Sequence, residues 1–178
     1  RGVNVSQTFT QMNFKLLDDD DPYLLMHYAE SQFLLAEAAV RGIGNVSAGD
    51  AQTYYENGVK AAMQMYVPFD ASLTVSDGAV TAYLAARPFP AATEARLEAI
   101  GTQMWLSKFM SWWEAWADWR RTQYPVLVPV NYPGNVTGGQ IPRKLRIPNT
   151  EIAVNTANYT AGATLPDEPV TKVWWDVK

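Results

Sequence analysis

The chain has 178 residues, 48% of them apolar and 18% charged, with a formal charge of −4, which suits one domain with its own core and leaves no clustered cations to grip nucleic acid or an anionic membrane. Cysteine is absent and His27 is the single histidine, so disulfides, thiolate metal sites, cysteine nucleophiles and multi-histidine metal sites are excluded. Serine–histidine catalysis would depend on that one imidazole, and any other enzyme chemistry would have to rest on carboxylates or lysines.

Residues 1–17 mix polar and apolar side chains without a period and are expected to be extended or loop. The opening RGVNVSQTFTQMNF has no signal-sequence pattern, and no window approaches the roughly 18 apolar residues of a membrane span. Asn-x-Ser/Thr triplets occur at Asn4, Asn45, Asn135 and Asn158, and would matter only in a eukaryotic secretory protein.

Asp21 followed by Pro22 predicts a helix start, and Leu24, Leu25, Tyr28, Ala29, Gln32, Leu35, Ala36 and Ala39 continue at helical spacing to a stop at Gly42. The expected helix is 22–41. Asp50 predicts the cap of a second helix, with Tyr54, Tyr55, Val59, Ala62, Met63 and Tyr66 on its apolar face before Pro68. The two should form an antiparallel hairpin, because Ala29, Ala36, Ala39, Gly58 and Ala62 are small enough for tetratricopeptide-type close approach. No second copy recurs at a fixed period.

A short helix is expected at 77–86, then a long one from Thr93 to about Thr122 that bends near Ser111 while its apolar stripe runs through. On that helix Trp112, Trp116 and Trp119 share a face, with Trp113 about 100° away. The expectation is a buried seam rather than a sugar-stacking platform, because platforms favour loops. Arg120 and Arg121 suit the helix C-terminus, with Asp118 placed to pair with Arg121. Past Pro125 the chain turns proline- and glycine-rich, with a short helix expected near 149–155 and an apolar tail ending VWWDVK.

Three clusters invite chemistry and receive plainer readings. Asp18 to Asp21 lack calcium-loop spacing and are read as capping plus solvated charge. Glu30 and Glu37 lie about 10 Å apart along one helix, outside the usual spacing of a retaining glycosidase pair and at the upper edge for an inverting one, and are expected to form salt bridges or hydrogen bonds to a neighbouring helix. His27 is read as a satisfied structural histidine. No metal site and no cofactor are expected.

Five segments in order, YLLMHYAESQFLLAEAAVRG, YYENGVKAAMQMY, LEAIGTQMWLSKFMSWWEAWADWRRTQYP, IPRKLRIPNTEIAVNTANY and VWWD, resemble the carboxyl-terminal half of SusD/RagB-like proteins, in the group with an EAWADWRRTGYP-type signature. Gln123 stands where that signature has glycine, and Ile147 where an aromatic often precedes the proline. The resemblance implies an all-α fold of tetratricopeptide-like helix pairs with long irregular loops, present here as a carboxyl-terminal fragment: 1–21 irregular, 22–178 helical. It further implies a non-catalytic, cell-surface outer-membrane lipoprotein of Bacteroidetes-type bacteria. Such a protein binds an oligosaccharide, peptide or other nutrient for a SusC-like TonB-dependent transporter, with a lipid anchor that is absent from this chain.

No family motif carries a binding residue onto the chain. Exposed-loop aromatics in 66–92 and 124–142 nominate Phe69, Tyr83, Phe89, Tyr124 and Tyr132 as ligand-binding residues. The alternatives are a helical-repeat scaffold that grips a peptide or protein partner, and a carboxylate glycosidase, which would need two acids facing one cleft.

Overall fold

The computed structural model describes residues 12–163 and 166–176, so the expected loop at 1–11, the Asn4 triplet and the last two residues of VWWDVK lie outside the described residues. Among the described residues the regular structure is helical, without strands. The order is α1 (Tyr28–Arg41), α2 (Ala51–Gln64), α3 (Asp77–Ala86), α4 (Thr93–Ser107), α5 (Trp112–Thr122), α6 (Asn149–Val154) and α7 (Thr156–Gly162). The chain forms two compact units, Arg1–Ala115 and Trp116–Lys178, and α5 begins in one and continues in the other.

In the first unit α1 starts six residues later than Asp21–Pro22 predicted. Asp21 is occupied elsewhere, accepting the Asp18 N–H at 2.8 Å in a local turn. The cap is His27, whose Nδ1 accepts the Glu30 N–H at 3.1 Å. The other end is as expected: Gly42 takes φ 66° and Ile43 N–H returns to the Ala38 carbonyl at 2.9 Å, closing a left-handed helix stop. Asp50 directly precedes α2 but makes no side-chain bond to it, whereas Ser76 caps α3 through the Ala79 N–H at 3.2 Å.

α1 and α2 pack as the hairpin foreseen, and α4 closes over them. The core joins Ala29, Phe33 and Ala36 of α1, Tyr55 and Val59 of α2, and Ile100 and Met104 of α4. Phe33 is fully buried and lies directly over Gly58, where an added Cβ would sit 2.5 Å from the Phe33 ring. The missing side chain at 58 therefore sets how closely the helices approach. Gly58→Ala should destabilise the protein by about 1–3 kcal/mol by overpacking, despite alanine's better helix propensity; a denaturation midpoint that rises instead would refute this packing.

The expected helix from Thr93 to Thr122 is two helices. Lys108 to Ser111 interrupt it, with Met110 at φ 74°, a left-handed conformation no α-helix can continue through. The apolar stripe consequently does not run on unbroken. Trp119 is buried at 8% exposure, in keeping with the seam, and Trp116 is half-buried, but Trp112 and Trp113 are 59% and 67% exposed.

In the second unit the rest of α5 is held by its aromatic and basic side chains. Trp116 and Trp119 donate their indole N–H groups to the Pro142 and Pro125 carbonyls, at 2.8 and 3.2 Å. The Arg120 guanidinium lies 3.8 Å from the Trp116 ring centre and 4.5 Å from that of Trp175, a pair of cation–π contacts that ties the tail to α5. Arg143 covers Trp119 and pairs with the buried Asp176 at 3.1 Å. The expected Asp118–Arg121 pair is present at 2.7 Å. α6 ends one residue earlier than foreseen, and α7 was not expected.

Gln123, the departure from glycine, has φ 63°, the conformation glycine takes without strain. Its amide compensates by donating to the Arg120 carbonyl at 2.9 Å and accepting from Arg143. Gln123→Ala should keep the strain and lose these bonds, lowering stability by about 1–3 kcal/mol, while Gln123→Gly should be milder. Thermal melts of the pair check the order.

Candidate functional site

The local break that ends α4 also builds a concave surface in the first unit. Met110 and Ser111 turn the chain so that Trp112 and Trp113 open α5, facing the segment that precedes α1. Together Tyr23, Leu25, Trp112, Trp113 and Glu114 border a groove of about 400 Å³. Tyr23 is 83% exposed, and Leu25 82%. A recess of about 50 Å³ adjoins it, with Tyr23, Leu24, Met110 and Ser111 lining both hollows and His27, Met65, Phe69 and Phe109 among the other walls. The recess wall is mostly apolar.

The segments that carry these walls are tied together by polar contacts that the residue types require. Lys108, almost wholly buried, meets the Glu30 carboxylate at 3.1 Å and reaches the Glu114 carbonyl at 3.5 Å. Glu37 pairs with Arg41 at 2.7 Å. Both carboxylates considered for an acid–base pair therefore sit in ion pairs, as expected from their spacing. Burial holds His27 below its ordinary range, with the Lys108 cation acting in the same direction and Glu30 and a hydrogen bond to the Ser107 backbone opposing. As a neutral ring it can accept the Glu30 N–H, which imidazolium cannot.

The five nominated aromatics are distributed as follows. Phe69 lines the recess and meets Tyr66 edge-on at 5.8 Å. Tyr83 is half-buried, its hydroxyl accepting from Gln103 Nε2 at 2.8 Å, and it lines a separate hollow beside Val59 and Leu106. Phe89 stacks on the core residue Tyr55 at 4.7 Å, with Arg96 over its ring. Tyr124, half-buried, and Tyr132, 61% exposed, belong to the second unit. Sequence spacing does not nominate the groove aromatics Tyr23, Trp112 and Trp113, because it reads 22–41 and 93–122 as continuous helices. Ser111-Trp112-Trp113-Glu114 has the S-x-x-E spacing of a helix start, a signal for the break. Among the described residues no group of metal-binding side chains gathers.

Paired helices around a small-residue seam make this a tetratricopeptide-like helical scaffold. The chain belongs to the SusD-like family, whose model, described as starch-binding associating with outer membrane, matches residues 1–148. Among solved structures it is similar to a chitin-binding protein at 36% identity and TM-score 0.80, covering 92% of this chain and 36% of that one. A Bacteroidetes SusD-like protein shows 35% identity and TM-score 0.83 over 92% of this chain and 32% of its own. A SusD homologue from Bacteroides uniformis shows 29% identity and TM-score 0.72, with shares of 91% and 38%. The chain thus spans about a third of the length of these structures. No curated protein matches.

Because the folded His27 has a lowered pKa, the unfolded chain binds more protons as pH falls through the ordinary imidazole range, near 6.5. Its contribution to stability is complete above that range and is lost below it. His27→Asn should keep the cap and flatten the melting temperature between pH 7.5 and 5.5 relative to the parent; equal slopes in the two proteins would remove the histidine from the account.

Proposed function

We propose that this chain is the groove-bearing part of a non-catalytic, cell-surface glycan-binding protein that hands its ligand to a TonB-dependent outer-membrane transporter of the SusC type. The family model's description and the chitin-binding neighbour support a carbohydrate ligand and an outer-membrane setting. Surface display through a lipid anchor elsewhere in the full-length polypeptide is part of the same proposal. The observation that carries the binding reading is the exposure of Tyr23, Trp112 and Trp113 around one groove. Aromatic faces left in water bind the apolar faces of pyranose rings by the same burial that packs a core, while ring hydroxyls keep their contacts with solvent and with Glu114.

Of the nominated aromatics, Phe69 adds to this surface as part of the recess wall. Tyr83, Phe89, Tyr124 and Tyr132 remain nominated as secondary contacts.

Calorimetric titration of the full-length protein with neutral oligosaccharides tests the proposal. Trp112→Ala and Tyr23→Ala should each weaken binding about tenfold, equivalent to ~1.4 kcal/mol, with melting temperatures unchanged because both side chains are exposed. A fall in melting temperature with affinity intact would instead make the aromatic surface a packing face for the remainder of the polypeptide. Silence across a broad oligosaccharide panel would remove the carbohydrate reading.

A further inference from the structure

We infer that the recess beside the groove is an acetamido pocket, so that the groove selects oligosaccharides of N-acetylated aminosugars over the corresponding unsubstituted glucans. The inference rests on the groove being a glycan site and adds the substituent it reads.

Size comes first. At about 50 Å³ the recess is far below the roughly 300 Å³ at which pockets for whole small molecules begin, whereas the groove, at about 400 Å³, falls within that range. A sugar ring therefore belongs in the groove and only a substituent of a few heavy atoms in the recess. The shared wall of Tyr23, Leu24, Met110 and Ser111 sets the two side by side. A pyranose lying flat on an aromatic face projects its equatorial C2 group sideways from the ring edge, which is the direction a flanking recess requires.

Chemistry narrows the substituent. Leu24, Met65, Phe69, Phe109 and Met110 give the recess an apolar wall, which an unsubstituted hydroxyl would enter only by losing its water. A methyl group gains from the same transfer. The polar half of an amide still needs a partner, and Ser111, half-buried and lining both hollows, carries a hydroxyl that makes no hydrogen bond among the described residues. It can donate to the acetamido carbonyl or accept from its N–H. His27 does not compete for this role: its Nδ1 accepts from Glu30 and its other bond goes to the Ser107 backbone.

The test is a matched pair of titrations on the full-length protein with chitotetraose and cellotetraose, which share a β-1,4-linked pyranose chain and differ at C2. One seated methyl and one new hydrogen bond predict about tenfold tighter binding of chitotetraose. Leu24→Trp, which fills the recess from a non-helical position, should bring the two affinities within about twofold of each other by erasing that same contribution. Ser111→Ala should lower the ratio only partly. Equal binding of the two sugars by the parent protein overturns the acetamido assignment and leaves the glycan reading standing. No binding of either sugar or of a wider neutral panel overturns both. Discrimination that survives Leu24→Trp, with the cooperative melt retained, moves the specificity away from the recess; if that variant fails to fold, the parent titrations still decide.

Discussion

The buried Lys108 ammonium is the constraint on which the first unit's candidate binding surface depends. It leaves water at the broken end of α4, where no continuing helix can shelter it, and is stabilised by the Glu30 carboxylate at 3.1 Å and the Glu114 carbonyl beyond. An unpaired buried cation would cost several kcal/mol, so the start of α1, the end of α4 and the first turn of α5 must stay together. His27 tightens the same junction, capping α1 with one nitrogen and bonding the Ser107 backbone with the other. Tyr23 and Trp112 line one groove because this polar junction ties together the segments that carry them.

Much of the scaffold is legible from residue spacing. The hairpin of α1 and α2 follows from period and small residues together, since Ala29, Ala36 and Gly58 are buried where the helices touch. Helix ends are less legible, and the reason is competition for hydrogen bonds. Asp21 is a good cap by type, but the Asp18 N–H claims its carboxylate, and a histidine, seldom used as a cap, takes the place six residues on. Met110 gives no warning of a left-handed φ, since only glycine and asparagine advertise that conformation.

The same break explains why the site was the least legible part. One amphipathic helix from Thr93 to Thr122 would present Trp112, Trp116 and Trp119 as a single stripe, and a stripe of indoles is ordinarily core. Split at Met110, the four tryptophans serve different ends. Trp116 and Trp119 pack with Arg120 and Arg143 in the second unit, where guanidinium stacking and indole N–H bonds satisfy them. Trp112 and Trp113 begin a new helix beside a loop, which is where binding aromatics are commonly presented.

Exposed aromatic area is itself informative, because contiguous apolar patches beyond a few hundred Å² are rare on soluble surfaces unless something covers them. Not every such patch is uniformly apolar. This one keeps an unbonded hydroxyl at Ser111, a carboxylate at Glu114 and an unfilled recess of about 50 Å³ beside faces large enough to stack a ring. Such a mixture suits a ligand that is apolar on its faces and polar at its edges, the chemistry of a pyranose. In the proposed glycan reading the Lys108 junction has a binding consequence: it sets the aromatic faces in position ahead of the ligand, so little of the stacking energy is lost to ordering them.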